Sequence, residues 1–159
     1  MENFLKIYLV RHGEAVSSDV DPARPLSEKG RASVRGVADL LKPSDLKVES
    51  AFHSGKARAE QTAEILSEAI VPERGIFSRE GLSPNDPVQP VKDFVESLER
   101  DVLIVGHLPF MEKLASLMIS GRDNASVMKF SAGTTACFEK QPEESWRLLW
   151  SIDPAIIRS

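Results

Sequence analysis

Short apolar runs alternate along this chain with longer segments that carry apolar residues at helical spacing. The first run, over residues 4–10, is too short for an ordinary helix and predicts a buried strand. Val102-Leu103-Ile104-Val105 is the clearest run of this kind. Strands are predicted over residues 4–10, 47–52, 75–78, 102–105, 134–139 and 146–152.

Apolar residues three and four positions apart predict helices between these strands. Ser27 is suited to cap the first helix, and Pro43 is expected to end it. A proline-rich stretch over residues 82–90 predicts a surface loop before the third helix. The predicted inward faces are Val34, Val37, Ala38 and Leu41; Ala59, Thr62, Ala63, Leu66 and Ile70; Val91, Phe94, Val95 and Leu98; and Phe110, Leu114, Leu117 and Met118.

Strands and helices that alternate in this order are typical of a parallel sheet with helices on both faces. The predicted fold class is therefore α/β, a three-layer α/β/α sandwich with a mainly parallel central sheet. The last two strands are expected to form a hairpin around residues 141–144. The length of 159 residues predicts a single domain over residues 1–159. Ligands of such sheets bind beyond the carboxyl ends of the strands.

The composition, with 42% apolar and 28% charged residues, is that of a globular protein and not of a disordered chain. A net charge of -4 argues against a general nucleic-acid binder. No apolar run approaches the roughly 20 residues of a membrane helix, and residues 1–6 do not resemble a secretory signal, so we expect a cytoplasmic protein without membrane contact. The lone Cys137, in a late strand, is expected to pack in the core.

Arginine and histidine residues stand where three of the predicted strands end. Arg11-His12 follows the first strand, His53 the second and His107 the clearest one, while Arg58 falls in the first turn of the second helix. Two arginines at one edge of the sheet predict an electropositive pocket in an otherwise acidic protein. Because guanidinium groups bind phosphate oxygens in pairs, the expected ligand is a phosphate group.

A neutral imidazole is a nucleophile toward phosphorus, and neighbouring arginines lower its pKa, so His12 is the expected attacking group. Gly13 is expected to turn the chain sharply, so that a backbone carbonyl can hold the proton on one ring nitrogen of His12. His53, beside the Ser54-Gly55 turn, is interpreted as either a surface residue or a pocket residue. The three histidines lack metal-binding spacing, which argues against a metal site.

Three segments, LVRHGEA, HSGKARAEQTAE and LIVGHLPF, resemble in this order the signatures of the histidine phosphatase superfamily. The RPLSEKGR segment, the GHLPFMEKLAS segment and the short chain are most similar to the SixA-type phosphohistidine phosphatases in this superfamily. The resemblance covers about residues 7–117. It implies a phosphoglycerate mutase-like fold and an enzyme that needs no metal or other cofactor.

Carried over to this sequence, the resemblance implies that His12 becomes phosphorylated and that water then hydrolyses the intermediate. Arg11, Arg58 and His107 are implied to bind the transferring phosphoryl group, and Gly13 lines the same site. Other members of the superfamily carry an acidic residue in the middle loop to protonate the leaving group. Here Pro84 falls near that position, so Glu80 and Asp86 are the candidates for a general acid, while Glu14 is a doubtful one.

A weak general acid favours a substrate whose leaving group departs readily, as the imidazole of phosphohistidine does. The first hypothesis is therefore a phosphatase for phosphohistidine on a protein, such as a histidine phosphotransfer domain. The short chain leaves little to cover the pocket, which agrees with a protein substrate. The alternatives are a small-molecule phosphomonoesterase of the same superfamily and a phosphate-binding module without turnover.

Overall fold

The chain folds as alternating strands and helices in a computed structural model that describes residues 4–143 and 145–157. The strands are β1 (Lys6–Arg11), β2 (Leu46–Val48), β3 (Ser50–His53), β4 (Ile70–Pro72), β5 (Ile76–Ser78), β6 (Val102–Gly106), β7 (Thr135–Lys140) and β8 (Trp146–Ile152). The α-helices are α1 (Glu28–Leu41), α2 (Ala57–Leu66), α3 (Gln89–Leu98) and α4 (Phe110–Ser120). Short 3-10 helices span Lys42–Ser44 and Pro154–Ile156.

Six strands form the central sheet in the order β5-β3-β6-β1-β7-β8. The first four are parallel, and β7 and β8 form an antiparallel pair at one side. Helices α1 and α2 pack on one face, while α3 and α4 pack on the other. Side chains of β1 alternate between the two faces, because successive residues of a strand point to opposite sides. The predicted three-layer sandwich is confirmed.

The first helix has the predicted cap and stop. The Ser27 hydroxyl accepts a hydrogen bond from the Gly30 N–H at 3.0 Å, and α1 ends at Leu41, two residues before Pro43. Strands β1, β5, β6, β7 and β8 lie within one or two residues of their predicted positions. Of the predicted turn at 141–144, residue 144 lies outside the described residues.

Two predictions about the second strand and the second helix are wrong. Residues 47–52 form parts of two strands in different sheets, because Glu49 interrupts them with backbone hydrogen bonds to Asp101 and Arg74. Helix α2 ends at Leu66, and Ile70 belongs to β4, which pairs with β2. Ile70 is fully buried. It is apolar and falls at helical spacing after Leu66, which is why the sequence pattern assigned it to the helix.

The predicted surface loop over residues 82–90 is partly wrong as well. Leu82 and Val88 are buried in the core, and α3 already begins at Gln89. Proline at position 90 fits the first turn of a helix, where its missing N–H is not needed. Within the described residues, no helix is both long and apolar enough to cross a lipid bilayer.

Candidate active site

The carboxyl ends of β1, β3 and β6 meet at one edge of the sheet. Arg11 is paired with Gly106 in the parallel register, and the His12 N–H donates to the Gly106 carbonyl at 3.0 Å. This places the rings of His12 and His107 side by side, with centroids 4.9 Å apart. Arg58 lies in the first turn of α2. We call Arg11, His12, Arg58 and His107 the cationic pocket.

The tautomer of His12 is set by its neighbour in the chain. Nδ1 of His12 lies 2.7 Å from the Gly13 carbonyl oxygen, which can only accept a hydrogen bond. Nδ1 therefore carries the proton of the neutral ring, and Nε2 keeps its lone pair. That is the arrangement a nucleophilic imidazole requires, and it agrees with the role that the sequence predicts for the Gly13 backbone.

Gly13 is also needed for close packing, which the sequence did not indicate. A Cβ at this position would lie 2.7 Å from a side-chain carbon of Val34. The Gly13 N–H donates to the Thr62 hydroxyl at 3.0 Å, and that hydroxyl donates to the Arg58 carbonyl at 2.8 Å. Thr62 thus links the segment after His12 to the turn that carries Arg58. The sequence indicated Thr62 only as a buried helix residue.

Both pocket histidines are neutral at physiological pH. The pKa of His12 is lowered to about 4, chiefly by burial of the ring and further by the charges of Arg58, Arg11 and Arg24; the hydrogen bond to Gly13 opposes this. Burial also lowers the pKa of His107 to about 3, with contributions from His12 and nearby cations. The sequence predicted correctly that neighbouring arginines lower the pKa of His12, but burial of the ring lowers it more.

We expect the free energy of unfolding to fall when the pH is lowered from 7.5 to 5.5. Histidines of the unfolded chain take up protons near pH 6.5, whereas His12 and His107 stay neutral in the folded state over this window. Each therefore favours unfolding by about 1.4 kcal/mol at the lower pH. Burial lowers the pKa of His53 as well, so a His12→Gln variant should lose roughly a third to a half of the change, as measured by urea denaturation in a phosphate-free buffer. A stability that does not change between these pH values would contradict the neutral state of both rings.

The arginines of the pocket retain unused hydrogen-bond donors. Arg11 donates from one terminal nitrogen to the Phe130 carbonyl at 3.0 Å, but the buried Nε atoms of Arg11 and Arg58 have no acceptor among the described residues. Neither guanidinium forms an ion pair with a described carboxylate. Buried donors of this kind are normally satisfied, so the pocket is suited to an oxyanion.

Arg24 is a third arginine at this edge, and the sequence did not indicate it. Its charge contributes to the lowered pKa of both His12 and Arg58, which places it close to the pocket. Its Nε donates to the Val16 carbonyl at 3.1 Å, across a loop whose base is closed by a bridge between Ala15 and Leu26. Its φ of 48° lies in the left-handed region, which is uncommon for arginine and frequent at functional sites.

His53 does not join the hydrogen bonds of the pocket. It is buried at 4% exposure, and its Nδ1 accepts a hydrogen bond from the Gly55 N–H at 3.0 Å. Its Nε2 lies 3.9 Å from a Glu60 carboxylate oxygen. The surface interpretation of His53 is wrong because the side chain is buried, and its contacts are those of a residue that supports the turn after β3. By contrast, the next residue, Ser54, has its hydroxyl 2.6 Å from Nε2 of His107.

Of the three candidate general acids, Glu14 and Asp86 form hydrogen bonds elsewhere. Glu14 accepts a hydrogen bond from the Ser27 hydroxyl at 2.9 Å and lies 4.0 Å from Lys29, at the start of α1. Asp86 accepts from the Ser83 N–H at 2.9 Å within its own loop. Glu80 is exposed in a turn after β5. These contacts give no support to a general acid at Glu80 or Asp86, and that assignment stays a prediction.

Within the described part of the chain, no three histidine, cysteine, aspartate or glutamate side chains are grouped so that they could hold a metal ion. The four predicted pocket residues thus meet at one edge, joined by Arg24, Ser54 and Thr62. What they can do together is bind a tetrahedral oxyanion beside an unprotonated imidazole nitrogen.

Comparison with known families gives the same assignment. Residues 7–82 match the histidine phosphatase superfamily (branch 1). An uncharacterized protein of Picosynechococcus sp. (strain ATCC 27264 / PCC 7002 / PR-6) is 32% identical over 126 residues, which cover 74% of this chain and 75% of that protein. The chain belongs to the histidine phosphatase superfamily. The expectation of a phosphatase is thereby confirmed.

SixA proteins are among the similar members of the superfamily. The phosphohistidine phosphatase SixA of Escherichia coli (strain K12) is 27% identical over 122 residues, covering 74% of this chain and 76% of SixA. A structure of the protein histidine phosphatase SixA complexed with tungstate matches with a TM-score of 0.83 at 24% identity, over 95% of this chain and 98% of that one. The fold of this histidine phosphatase is therefore the one found in SixA.

Proposed function

We propose that this protein is a phosphohistidine phosphatase that acts on a phosphorylated histidine of another protein. The observation that supports this most is that the site contains an unprotonated Nε2 on His12, while the Glu14 and Asp86 carboxylates form hydrogen bonds elsewhere. Such a site has a nucleophile and cations for the phosphoryl group, whereas Glu14 and Asp86 are held by other contacts and Glu80 is exposed in a turn. The similarity to the phosphohistidine phosphatase SixA of Escherichia coli adds support.

In the first step, Nε2 of His12 attacks the phosphorus in line with the bond to the substrate. A P–N bond to His12 forms while the P–N bond to the substrate imidazole breaks. The substrate ring takes a proton from solvent on its other nitrogen before this step, so that it departs as neutral imidazole. Arg11, Arg58 and His107 donate hydrogen bonds to the three equatorial oxygens, where the negative charge is spread in the transition state.

In the second step, water attacks the phosphorus of the phosphorylated His12. The P–N bond breaks, inorganic phosphate leaves, and His12 returns to its neutral form with the proton on Nδ1. The hydrogen bond from Nδ1 to the Gly13 carbonyl stays in place during both steps. This bond keeps the same nitrogen available for the next cycle.

The hydrogen bonds of the Glu14 and Asp86 carboxylates favour one class of substrate over another. An alkoxide leaving group needs a proton from a nearby acid, whereas a protonated imidazole leaves without one. The Glu14 and Asp86 carboxylates each hold a structural hydrogen bond, so neither is free to serve an alkyl phosphate. A phosphoramidate such as phosphohistidine suits this site better than a phosphate monoester.

The surroundings of the pocket favour a substrate presented by a protein. Helices α1 to α4 pack on the faces of the sheet, so the carboxyl edge is bordered by loops. Arg24 and Lys56 add positive charge there, as their effects on the pocket histidines indicate. A phosphorylated histidine on the surface of a histidine phosphotransfer domain would be attracted to such an edge.

The test is a comparison of substrates with the purified wild-type protein. Hydrolysis of a phosphohistidine peptide is measured beside a panel of sugar and nucleotide phosphates, and kcat/KM is expected to be highest for the peptide. Preference for the panel would instead identify a small-molecule phosphomonoesterase. A failure to trap an acid-labile phosphoryl group on His12 with any substrate would point to a phosphate-binding module without turnover.

We expect Arg24→Gln to weaken the binding of inorganic phosphate or tungstate by roughly 10-fold, because a positive charge close to the cationic pocket is lost. Isothermal titration calorimetry at fixed ionic strength measures the affinity. Arg147→Gln is the matched control, since it removes the same charge from exposed strand β8. Equal affinities in the two variants would contradict a role for Arg24 in anion binding.

The single domain over residues 1–159, the cytoplasmic location and the lack of nucleic-acid and membrane partners stay predictions from the sequence.

A further inference from the structure

Ser54 contacts His107 at the edge of the cationic pocket. Its hydroxyl oxygen lies 2.6 Å from Nε2 of His107, which is short for a hydrogen bond between a hydroxyl and an imidazole. The register that pairs His53 with Val105 brings the ends of β3 and β6 together, so Ser54 and His107 leave the sheet as neighbours. The sequence indicated only a turn at Ser54-Gly55.

Only one nitrogen of His107 is left for an anion. The ring is 2% exposed, Nε2 is engaged by Ser54, and Nδ1 has no hydrogen-bond partner among the described residues. A neutral imidazole carries a single proton, so one ring nitrogen donates and the other accepts. If Nε2 carried that proton, Nδ1 would direct a lone pair toward the negatively charged phosphoryl group and repel it.

The Ser54 hydroxyl is placed to be the donor of the pair. Its oxygen already accepts a hydrogen bond from the Lys56 N–H at 3.4 Å, which leaves the hydroxyl proton available for Nε2. A hydroxyl rotates freely and takes the direction that its partner requires. In this arrangement the serine fixes which nitrogen of the histidine is protonated.

We propose that Ser54 is a positioning residue: its hydroxyl donates to Nε2 of His107 and so keeps the ring proton on Nδ1, from which His107 donates to the phosphoryl group. The role in phosphoryl binding rests on the proposed function, whereas the protonation pattern of the ring does not. Removal of the hydroxyl leaves the ring free to adopt the other tautomer. The same serine therefore governs how well the phosphoryl group is held without touching it.

The protonation pattern is measured by NMR of protein labelled with nitrogen-15, using long-range proton–nitrogen correlations of the histidine rings at pH 7.5. The wild-type protein should show a protonated Nδ1 and an unprotonated Nε2 for His107. Ser54→Ala should shift both signals toward a mixture of tautomers, and Ser54→Thr, which restores the hydroxyl, should return them. Ser97→Ala, which removes an exposed hydroxyl on α3, is the control and should change neither signal.

Tungstate affinity and turnover of a phosphohistidine peptide follow the same variants. Ser54→Ala should weaken both by roughly 10-fold, the size of one hydrogen bond to a charged group, and Ser54→Thr should recover most of this loss. A wild-type His107 protonated on Nε2, or a Ser54→Ala spectrum identical to that of the wild type, would overturn the proposal. A wild-type protein without activity on the peptide would overturn the proposed function instead, while the ring signals still decide the role of Ser54.

Discussion

Replacing His12 by alanine is expected to reduce turnover of a phosphohistidine peptide by roughly 10,000-fold or more while inorganic phosphate still binds. The variant lacks the nitrogen that forms the P–N bond, and loss of a nucleophile removes most of the catalysis of an enzyme of this kind. Arg11, Arg58 and His107 keep their hydrogen-bond donors, so the affinity for phosphate should change only a few-fold. Stopped assays with the peptide and calorimetry with phosphate measure the two quantities separately.

The matched control is His53→Asn, which alters the histidine at the neighbouring strand end. His53 accepts a hydrogen bond from Gly55 and lies outside the cationic pocket, so turnover of the folded variant should stay within a few-fold of the wild type. The wild-type protein should also yield an acid-labile phosphoryl group after a rapid quench, and His12→Ala should not. Wild-type rates in His12→Ala would remove the proposed nucleophile.

Gly30→Ala is expected to lower the free energy of unfolding by about 3 kcal/mol. A Cβ at position 30 would lie 2.0 Å from the Glu14 carbonyl oxygen and 2.9 Å from its carbon, and neither backbone atom can move aside alone. The Glu14 carbonyl oxygen also accepts a hydrogen bond from the Ser27 N–H at 2.9 Å. The added methyl group would therefore push the start of α1 away from the segment that follows His12. Urea denaturation monitored by circular dichroism measures the loss.

Gly36 in the same helix provides the control. A Cβ there would meet only a methyl carbon of Ile157, at 3.6 Å, which is ordinary van der Waals contact. Because alanine favours helices over glycine, Gly36→Ala should raise the stability by up to about 1 kcal/mol. Similar effects of the two substitutions would mean that the contact between Gly30 and Glu14 is not tight.

The arrangement of Arg11, His12, Arg58 and His107 could be predicted because each follows a strong local pattern. Each stands at the end of an apolar strand or in the first turn of a helix, and parallel strands bring such ends together. The order of the four α-helices and of the six strands of the central sheet follows from the same periodicities. The break at Glu49 could not be predicted, since it depends on hydrogen bonds to Asp101 and Arg74, which are distant in sequence.

The supporting residues of the site were missed for a related reason. Arg24 lies in a loop, Ser54 in a turn and Thr62 on an inward helix face, positions that are common for residues without a special role. Their importance arises from partners on other elements, such as Ser54 with His107 and Thr62 with Gly13. A pattern along one segment contains no information about such contacts.

The strand order has a consequence for how the protein is made. In the finished sheet β6 lies between β3 and β1, although the chain produces it after both. A growing chain that extends beyond Arg58 but ends before residue 102 contains Arg11, His12 and Arg58. It lacks β6, the strand that pairs with both β1 and β3 and holds them in register. Synthesis proceeds from the amino terminus, so the complete pocket forms only late. A chain that ends before β6 therefore lacks both His107 and the strand that aligns the rest of the pocket.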